Sequence, residues 1–357
     1  MDHQLRRTTL ASRIDDLRVD ALLVSGGPNV RYLTGFTGSN GQVLVRASEA
    51  VFLTDGRYTE QSRHEVPDLE RITYLDGLEG PLGELCARLG VARLGFEAGA
   101  VTVAARERWS ERLSEVDLLG VVDGVERQRW VKDAEELEML RRAQSVTDQA
   151  FEDVLEFLAV GQSEQQVAWE LERLLRRDGA DGLAFDSIVA FGESAAEPHH
   201  VPGHRLLEEG DVIKLDFGAL FGGYHADMTR TVSFGAPASQ LKKIHDVVRE
   251  AQQAGIDAVR AGVTGAEVDA AARSVIEGAG YGDAFSHGLG HGVGLEIHEG
   301  PRLGRGIEHV LPVGAVVTVE PGVYIPGLGG VRIEDSVEVT DDGCRVLGSS
   351  TRDLIEL

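Results

Sequence analysis

Four acidic residues close two similar strand pairs. The segment "LEEGDVIKLDFG" (207–218) overlays "LPVGAVVTVEPG" (311–322), with glycine on glycine at two positions and Asp216 on Glu320. The segments that follow overlay as well: "ADMTRTV" on "IEDSVEV" puts Asp227 on Glu334. Two matched segments in the same order, each carrying a carboxylate, indicate a pseudo-twofold built from one ancestral α/β unit. A two-residue loop at Phe221–Gly222 makes Leu220 face Gly223 and Asp216 face Asp227. A turn at "PGL" makes Ile325 face Gly329 and Glu320 face Glu334. Directly opposed side chains lie about 4.5–5.5 Å apart at Cβ, and like charges so placed destabilise a sheet unless something positive sits between them. Solvated acids on a sheet edge explain one such residue. Four in two equivalent hairpins are better explained by a metal site.

Hard oxygen ligands with an imidazole suit a divalent cation such as Mn²⁺, Fe²⁺, Co²⁺ or Zn²⁺. Four carboxylates are too many for one catalytic zinc with a single histidine, but they can bridge two ions held about 3.5–4 Å apart. The glycine-dense stretch "GHGVGLEIHE" (290–299) carries His291 and His298, and His287 lies just upstream. One of these supplies the imidazole, with glycines letting backbone approach closely. The same stretch makes a poor phosphate loop, since no lysine-serine or lysine-threonine pair follows and the dinucleotide fingerprint is not met.

The elements that must position these residues fall into two domains. Residues 1–125 alternate short apolar runs ("DALLVSG", "GQVLVRA", "AVFLTDG", "RLGFEAG") with amphipathic stretches, an α/β pattern with a mixed sheet. The second domain, 126–357, opens on a long helix in which Leu137, Leu140, Val146, Ala150, Val154 and Leu158 recur at helical spacing, ending at Gly161. Further helices are expected over about 163–178 and 237–261, and a fourth in "TGAEVDAAARSVIEGAG", stopped by Gly278 and Gly280. Lysine and arginine total 35 against 59 acids, a net charge of −24, which argues against nucleic acid as a partner. Two cysteines, Cys86 and Cys344, are too few for a disulfide framework. With no apolar leader pattern in "MDHQLRRTTLASRIDDLRVD" and no run of membrane-spanning length, the expected setting is cytoplasmic.

The motifs "LDFGALFGGYHADMTRT", "HGLGHGVGLEIHE", "TVEPGVYI" and "GGVRIED" resemble the M24B metallopeptidases. These are the aminopeptidase P and prolidase group of the superfamily that includes methionine aminopeptidase, with its pita-bread fold. The resemblance implies an α+β catalytic domain with duplicated halves behind a creatinase/prolidase-like N-terminal domain. It implies two divalent ions, Mn²⁺ first, held by Asp216, Asp227, His291, Glu320 and Glu334. Asp227 and Glu334 bridge, Asp216 serves one ion, and His291 and Glu320 serve the other. By the same resemblance Glu320 is general base and then acid, and His298 steadies the developing oxyanion. His199, 17 residues before Asp216, contacts substrate, and His287 lines the pocket. Arg332 shares strand parity with Glu334 and acts in catalysis or balances charge. Lys214 shares parity with Asp216, and Arg230 sits at the hairpin end. His64, His245 and His309 match nothing and read as surface; His200 and His225 neighbour the site without a role. Ser194 and Glu197 stand where relatives carry Asn or Arg and an apolar residue, a departure at the pocket rim.

The N-terminal stretches "NVRYLTGFTGSNG" and "LTDGRYTEQ" resemble aminopeptidase P more than typical prolidases. The expected activity is therefore release of the first residue before proline from peptides, by a homodimer. The alternative is an Xaa-Pro dipeptidase, and a non-catalytic peptide-binding scaffold is disfavoured by the intact ligand set.

Overall fold

The computed structural model describes residues 1–357 and divides into two compact units, Met1–Arg129 and Trp130–Leu357. In the first, β1 (Ala21–Val24), β2 (Gly41–Val45), β3 (Ala50–Asp55), β4 (Glu70–Tyr74), β5 (Arg93–Glu97) and β6 (Asp117–Val121) form one sheet in the order β4-β3-β2-β1-β5-β6. The β1–β2 and β2–β3 pairs are antiparallel and the others parallel, so the sheet is mixed, and the four apolar runs read as strands become β1, β2, β3 and β5. Five helices accompany them: α1 (His3–Ala11), α2 (Gly27–Thr34), α3 (Thr59–Glu65), α4 (Glu79–Leu89) and α5 (Val103–Arg112). Leu23, Leu53 and Leu94 from the sheet meet Leu82, Leu85 and Trp109 in a closed core. The short α6 (Glu126–Arg129), placed by sequence with the second domain, belongs to the first unit. The cause is local: Glu126 and Arg129 both bond the buried Asn29 side chain, at 2.8 Å each.

The second unit repeats itself. Helices α7 (Ala134–Phe157) and α8 (Glu164–Arg177) precede one strand set, and α9 (Ser239–Ala258) and α10 (Gly265–Gly278) precede the other. Both α8 and α10 start on a capping box, Ser163 with Gln166 and Thr264 with Glu267, satisfying first-turn N–H groups. Before each box a glycine of positive φ, Gly161 or Gly262, donates its N–H to the overlaid leucine carbonyl, Leu207 at 3.0 Å or Leu311 at 3.1 Å. The long helix accordingly stops at Phe157 rather than at Gly161. Leu158 turns extended to pack with Leu171 and Phe217, and Gly161 builds the turn into α8.

The first half carries β7 (Gly182–Leu183), β8 (Ile188–Phe191), β9 (Val212–Phe217), β10 (Ala219–Phe221), β11 (Tyr224–His225) and β12 (Met228–Ser233). The second carries β13 (Gly290–Gly292), β14 (Glu299–Leu303), β15 (Val316–Val319), β16 (Gly322–Ile325), β17 (Gly329–Arg332), β18 (Asp335–Val339) and β19 (Cys344–Val346). The first hairpin differs from the expected register. Phe221 faces Tyr224, Leu220 faces His225, and Asp216 faces Thr229 rather than Asp227. The loop is Gly222–Gly223, both at positive φ (58° and 84°), because the tight hairpin turn needs two such residues and Phe221 cannot supply one. The second hairpin keeps the expected register, with Ile325 opposite Gly329. Val319 opposite Asp335 and Gly322 opposite Arg332 bracket Glu320 and Glu334, so these two acids lie across from each other. No helix of the chain is long and apolar enough to cross a membrane.

Candidate active site

The two hairpins meet through one main-chain bond and one threonine hydroxyl. Glu334 N–H donates to Thr229 O at 3.1 Å, and the Thr231 hydroxyl donates to Arg332 O at 3.0 Å. At this seam Asp216, Asp227 and Glu334 are buried, and ligand atoms of Asp227, His291 and Glu334 come within 4.8 Å of one another. Glu320 Oε1 lies 3.3 Å from His291 Nε2, and Asp227 Oδ2 lies 3.6 Å from the same nitrogen. The strand β13 explains how the imidazole is aimed. A side chain at Gly290 would meet Thr318 O at 2.0 Å, and one at Gly292 would meet Gly300 O at 2.2 Å, so only glycine lets the neighbouring strands close on His291. The Thr318 hydroxyl accepts from His291 N–H and donates to Glu320, each at 3.1 Å. His291 Nδ1–H donates to Gly292 O at 3.1 Å, which directs Nε2 toward the acids.

Electrostatics at the seam favour added positive charge. Burial, then the charges of Glu334 and its neighbours, push the Asp227 carboxyl well above its usual range. Burial, then Glu320 and Asp216, do the same to Glu334. Burial also works to raise Glu320, but the His291 hydrogen bond and charge outweigh it and hold that carboxyl down at about 2. Asp216 Oδ1 and Glu334 Oε1 are buried with no hydrogen-bond partner. Buried polar atoms are seldom left so, and a bound cation would satisfy both and reverse the acids' upward shifts. Oxygen donors from Asp216, Asp227, Glu320 and Glu334 with His291 Nε2 thus fit divalent ions.

Arg332 is buried, and its partner among the acids is Asp216, not Glu334. It also donates to Thr229 Oγ1 at 2.9 Å and Tyr324 OH at 2.8 Å, while Thr229 donates to Glu334 at 2.7 Å. Above the acids opens a cleft of about 1520 Å³ lined by His199, His287, His298, Glu320 and Arg302. His298 is exposed, its ring edge-on to His291 with centroids 4.4 Å apart. Burial, then the neighbouring His291, lower its pKa, so it is a neutral donor at pH 7. His199 is exposed on the rim. His287 has both ring nitrogens engaged, with Gly288 O at 2.8 Å and Tyr324 OH at 2.9 Å, and it presents its ring to the cleft.

The remaining residues sort by contact. His245 is not on the surface: it is 2% exposed, on the buried face of α9 with Ile244 and Val248. His64 and His309 are exposed, the latter edge-on to Trp130. His200 bridges Glu197 and the buried Glu164, at 2.8 Å each, so the departure at Glu197 gives the rim an ion-pair partner. Ser194 sits in the short 192–196 turn below that rim. His225 Nδ1 bonds Gly294 O at 3.0 Å. Arg230 is buried away from the cleft, paired with Asp335 at 2.7 Å and holding Thr351 O and Ser350 O. Lys214 is wholly buried, its donors on Ala195, Glu197 and Pro198 carbonyls, and burial, then Arg332, push it down to about 7. Sequence reasoning missed Tyr324, Thr229, Thr318 and Arg302. Strand alternation held the signal for Arg302: in β14 Glu299, Pro301 and Leu303 are buried while Arg302 is exposed on the opposite face.

Comparison with known proteins agrees with this architecture. The model of metallopeptidase family M24 matches residues 138–341, and that of the Creatinase/Prolidase N-terminal domain matches residues 6–131. An Xaa-Pro dipeptidase of Pyrococcus horikoshii is 34% identical over 96% of each chain. The solved Xaa-Pro dipeptidase from Bacillus anthracis superposes with a TM-score of 0.97 at 40% identity, covering 99% of this chain and 100% of that one. The X-Pro aminopeptidase of Thermotoga maritima superposes at 0.89 with 36% identity, covering 97% and 100%. Both family models and the matched relatives run the length of the two units, and the chain belongs to metallopeptidase family M24, with a pita-bread catalytic domain behind a creatinase/prolidase N-terminal domain.

Proposed function

We propose that this chain is a metal-dependent Xaa-Pro dipeptidase. The observation that carries the reading is Arg302: it lines the cleft with His298 and His291, its charge reaches both imidazoles, and it makes no ion pair. The other cleft arginines are committed, Arg273 to Asp269, Arg305 to Glu277 and Arg332 to Asp216. A dipeptide ends in a carboxylate directly after proline, and an unpaired guanidinium is the group to receive it bidentately. The relatives named Xaa-Pro dipeptidase support the same choice. It replaces the aminopeptidase P activity expected from the N-terminal motifs, which remains the second reading on the strength of the Thermotoga maritima relative.

Asp216, Asp227, His291, Glu320 and Glu334 are proposed to hold two divalent ions, Mn²⁺ first. When bound, such ions supply Lewis acidity toward the scissile carbonyl and lower the pKa of attacking water. Glu320 is the most open of the four acids: its side chain is 17% exposed against 7% for Asp227 and 9% for Asp216, and Glu334 is buried. It takes the proton of the attacking water and passes it to the leaving proline nitrogen. Neutral His298 donates to the developing oxyanion. Proline's nitrogen is tertiary and offers no N–H, so His199 and the ring of His287 orient the substrate around it.

The test is mass spectrometry of Ala-Pro, Ala-Pro-amide and Ala-Pro-Ala incubated with Mn²⁺-loaded protein. Cleavage confined to Ala-Pro, with Arg302→Ala raising KM for Ala-Pro, supports the dipeptidase. Alanine release from Ala-Pro-Ala at a comparable rate overturns it in favour of an aminopeptidase.

A further inference from the structure

Lys214 is the buried group that the mechanism above leaves unused. It is 0% exposed on the central strand β9, two residues before Asp216, and forms no ion pair. Its Nζ donates to Ala195 O at 3.2 Å, Glu197 O at 2.5 Å and Pro198 O at 3.4 Å, and lies 5.3 Å from the centre of the Tyr324 ring. All three acceptors belong to the segment leading into His199. Pro198 O is shared: Arg332, which holds Asp216, also donates to it at 3.3 Å.

The duplication sharpens the point. The overlay puts Lys214 on Thr318, whose hydroxyl serves Glu320 directly at 3.1 Å. Lys214 reaches the other way, to a rim segment and not to the acid on its own strand. Arg273 gives a second contrast: it holds the carbonyls of Phe285 and His287 at 3.1 and 2.8 Å, but Asp269 neutralises it. Burying an amine without a carboxylate is costly, and an apolar chain of the same length would pack there at lower cost. What the amine supplies is three directed donors on one loop.

We propose that Lys214 is a positioning residue that anchors the 195–198 backbone and thereby fixes His199 over the cleft. The inference rests on the peptidase reading for its kinetic consequence but not for its structural one. The experiment pairs Lys214→Met with His199→Ala in Mn²⁺-loaded protein and adds hydrogen exchange of peptides spanning 192–201. Lys214→Met should lower kcat/KM for Ala-Pro on the order of 10- to 100-fold, as misplacement of an orienting group does. In the His199→Ala background the same change should cost less than about twofold, because the two act through one site. Amides of 192–201 should exchange faster while those of β9 and β12 do not. Lys214→Gln, which keeps two donors on a shorter stem, is read by the same criteria and carries the test should Lys214→Met fail to fold. A full loss that persists in the His199→Ala background, or wild-type exchange across 192–201, overturns the proposal. If the wild-type chain hydrolyses no Xaa-Pro substrate, the functional reading fails, and the exchange data still decide the role of Lys214.

Discussion

The two hairpins of the catalytic unit carry acids at equivalent positions but hold them differently. In the second, Glu320 and Glu334 face each other, each in the gap between two strands, β15 and β16 or β17 and β18. In the first, Asp216 faces Thr229, and Asp227 lies where the strand breaks between β11 and β12. The displacement lets the Thr229 hydroxyl accept from Arg332 and donate to Glu334. Each half also borrows its compensation: Arg332 of the second hairpin holds Asp216 of the first. Duplication conserved where the carboxylates sit and let their supporting contacts diverge, so the site is one unit spanning both halves rather than two copies side by side.

That view breaks most visibly if the hairpins prove separable. Asp227→Asn and Glu334→Gln should each reduce peptide turnover to background and lower metal content, measured by elemental analysis alongside the assay. A variant that keeps near wild-type rate with its metal removes that acid from the ligand set. Next in size, Thr229→Val should lower activity or metal affinity by about 10- to 100-fold, because one hydroxyl of the first hairpin holds both Arg332 and Glu334 of the second. Thr318→Val should cost less, since Glu320 keeps His291; equal losses would mean the two threonines play matched local roles.

Smaller effects test the turn and the helices. Gly223→Ala should destabilise by about 1–2 kcal/mol in denaturant titration, because a Cβ is strained at this left-handed position, while Gly223→Asn should be milder because asparagine adopts that conformation more readily. Equal stability of all three would undo the corrected register. Finally, α9 buries His245 where α7 of the first half has no histidine. Burial drops the His245 pKa from 6.5 to about 4. Between those values the unfolded chain binds the extra proton, so stability present above pH 6.5 is lost as pH falls toward 4. His245→Leu should remove about 1 kcal/mol of the stability difference between pH 7 and pH 5.5. An unchanged difference would mean that His245 titrates alike folded and unfolded.

Much of this was legible in residue order. The overlay of 207–218 on 311–322 located all four acids, because the repeat keeps glycines and carboxylates at fixed offsets. The second hairpin was readable from "PGL". The first was misread because Phe221 was counted into the loop, although two successive glycines are the stronger turn signal. His245 matches no motif, yet its spacing from Leu241, Val248 and Gln252 puts it on the inner face of α9 and not on the surface. Tyr324 escaped because its importance lies in which side chains it meets from other strands, and spacing along one chain carries little of that. The alternation of β14 marks Arg302, but residue order does not show that the other cleft arginines are paired and it is not.

The central claim is that Asp216, Asp227, His291, Glu320 and Glu334 together hold two divalent ions on which peptide cleavage depends. Its most direct test is to strip the wild-type protein with chelator, titrate Mn²⁺ back, and record bound metal per chain and Ala-Pro turnover in the same samples. The account predicts no turnover when stripped and full turnover as occupancy approaches two ions per chain. Undiminished turnover in the stripped protein, or a rate that saturates with no metal bound at these residues, would contradict it.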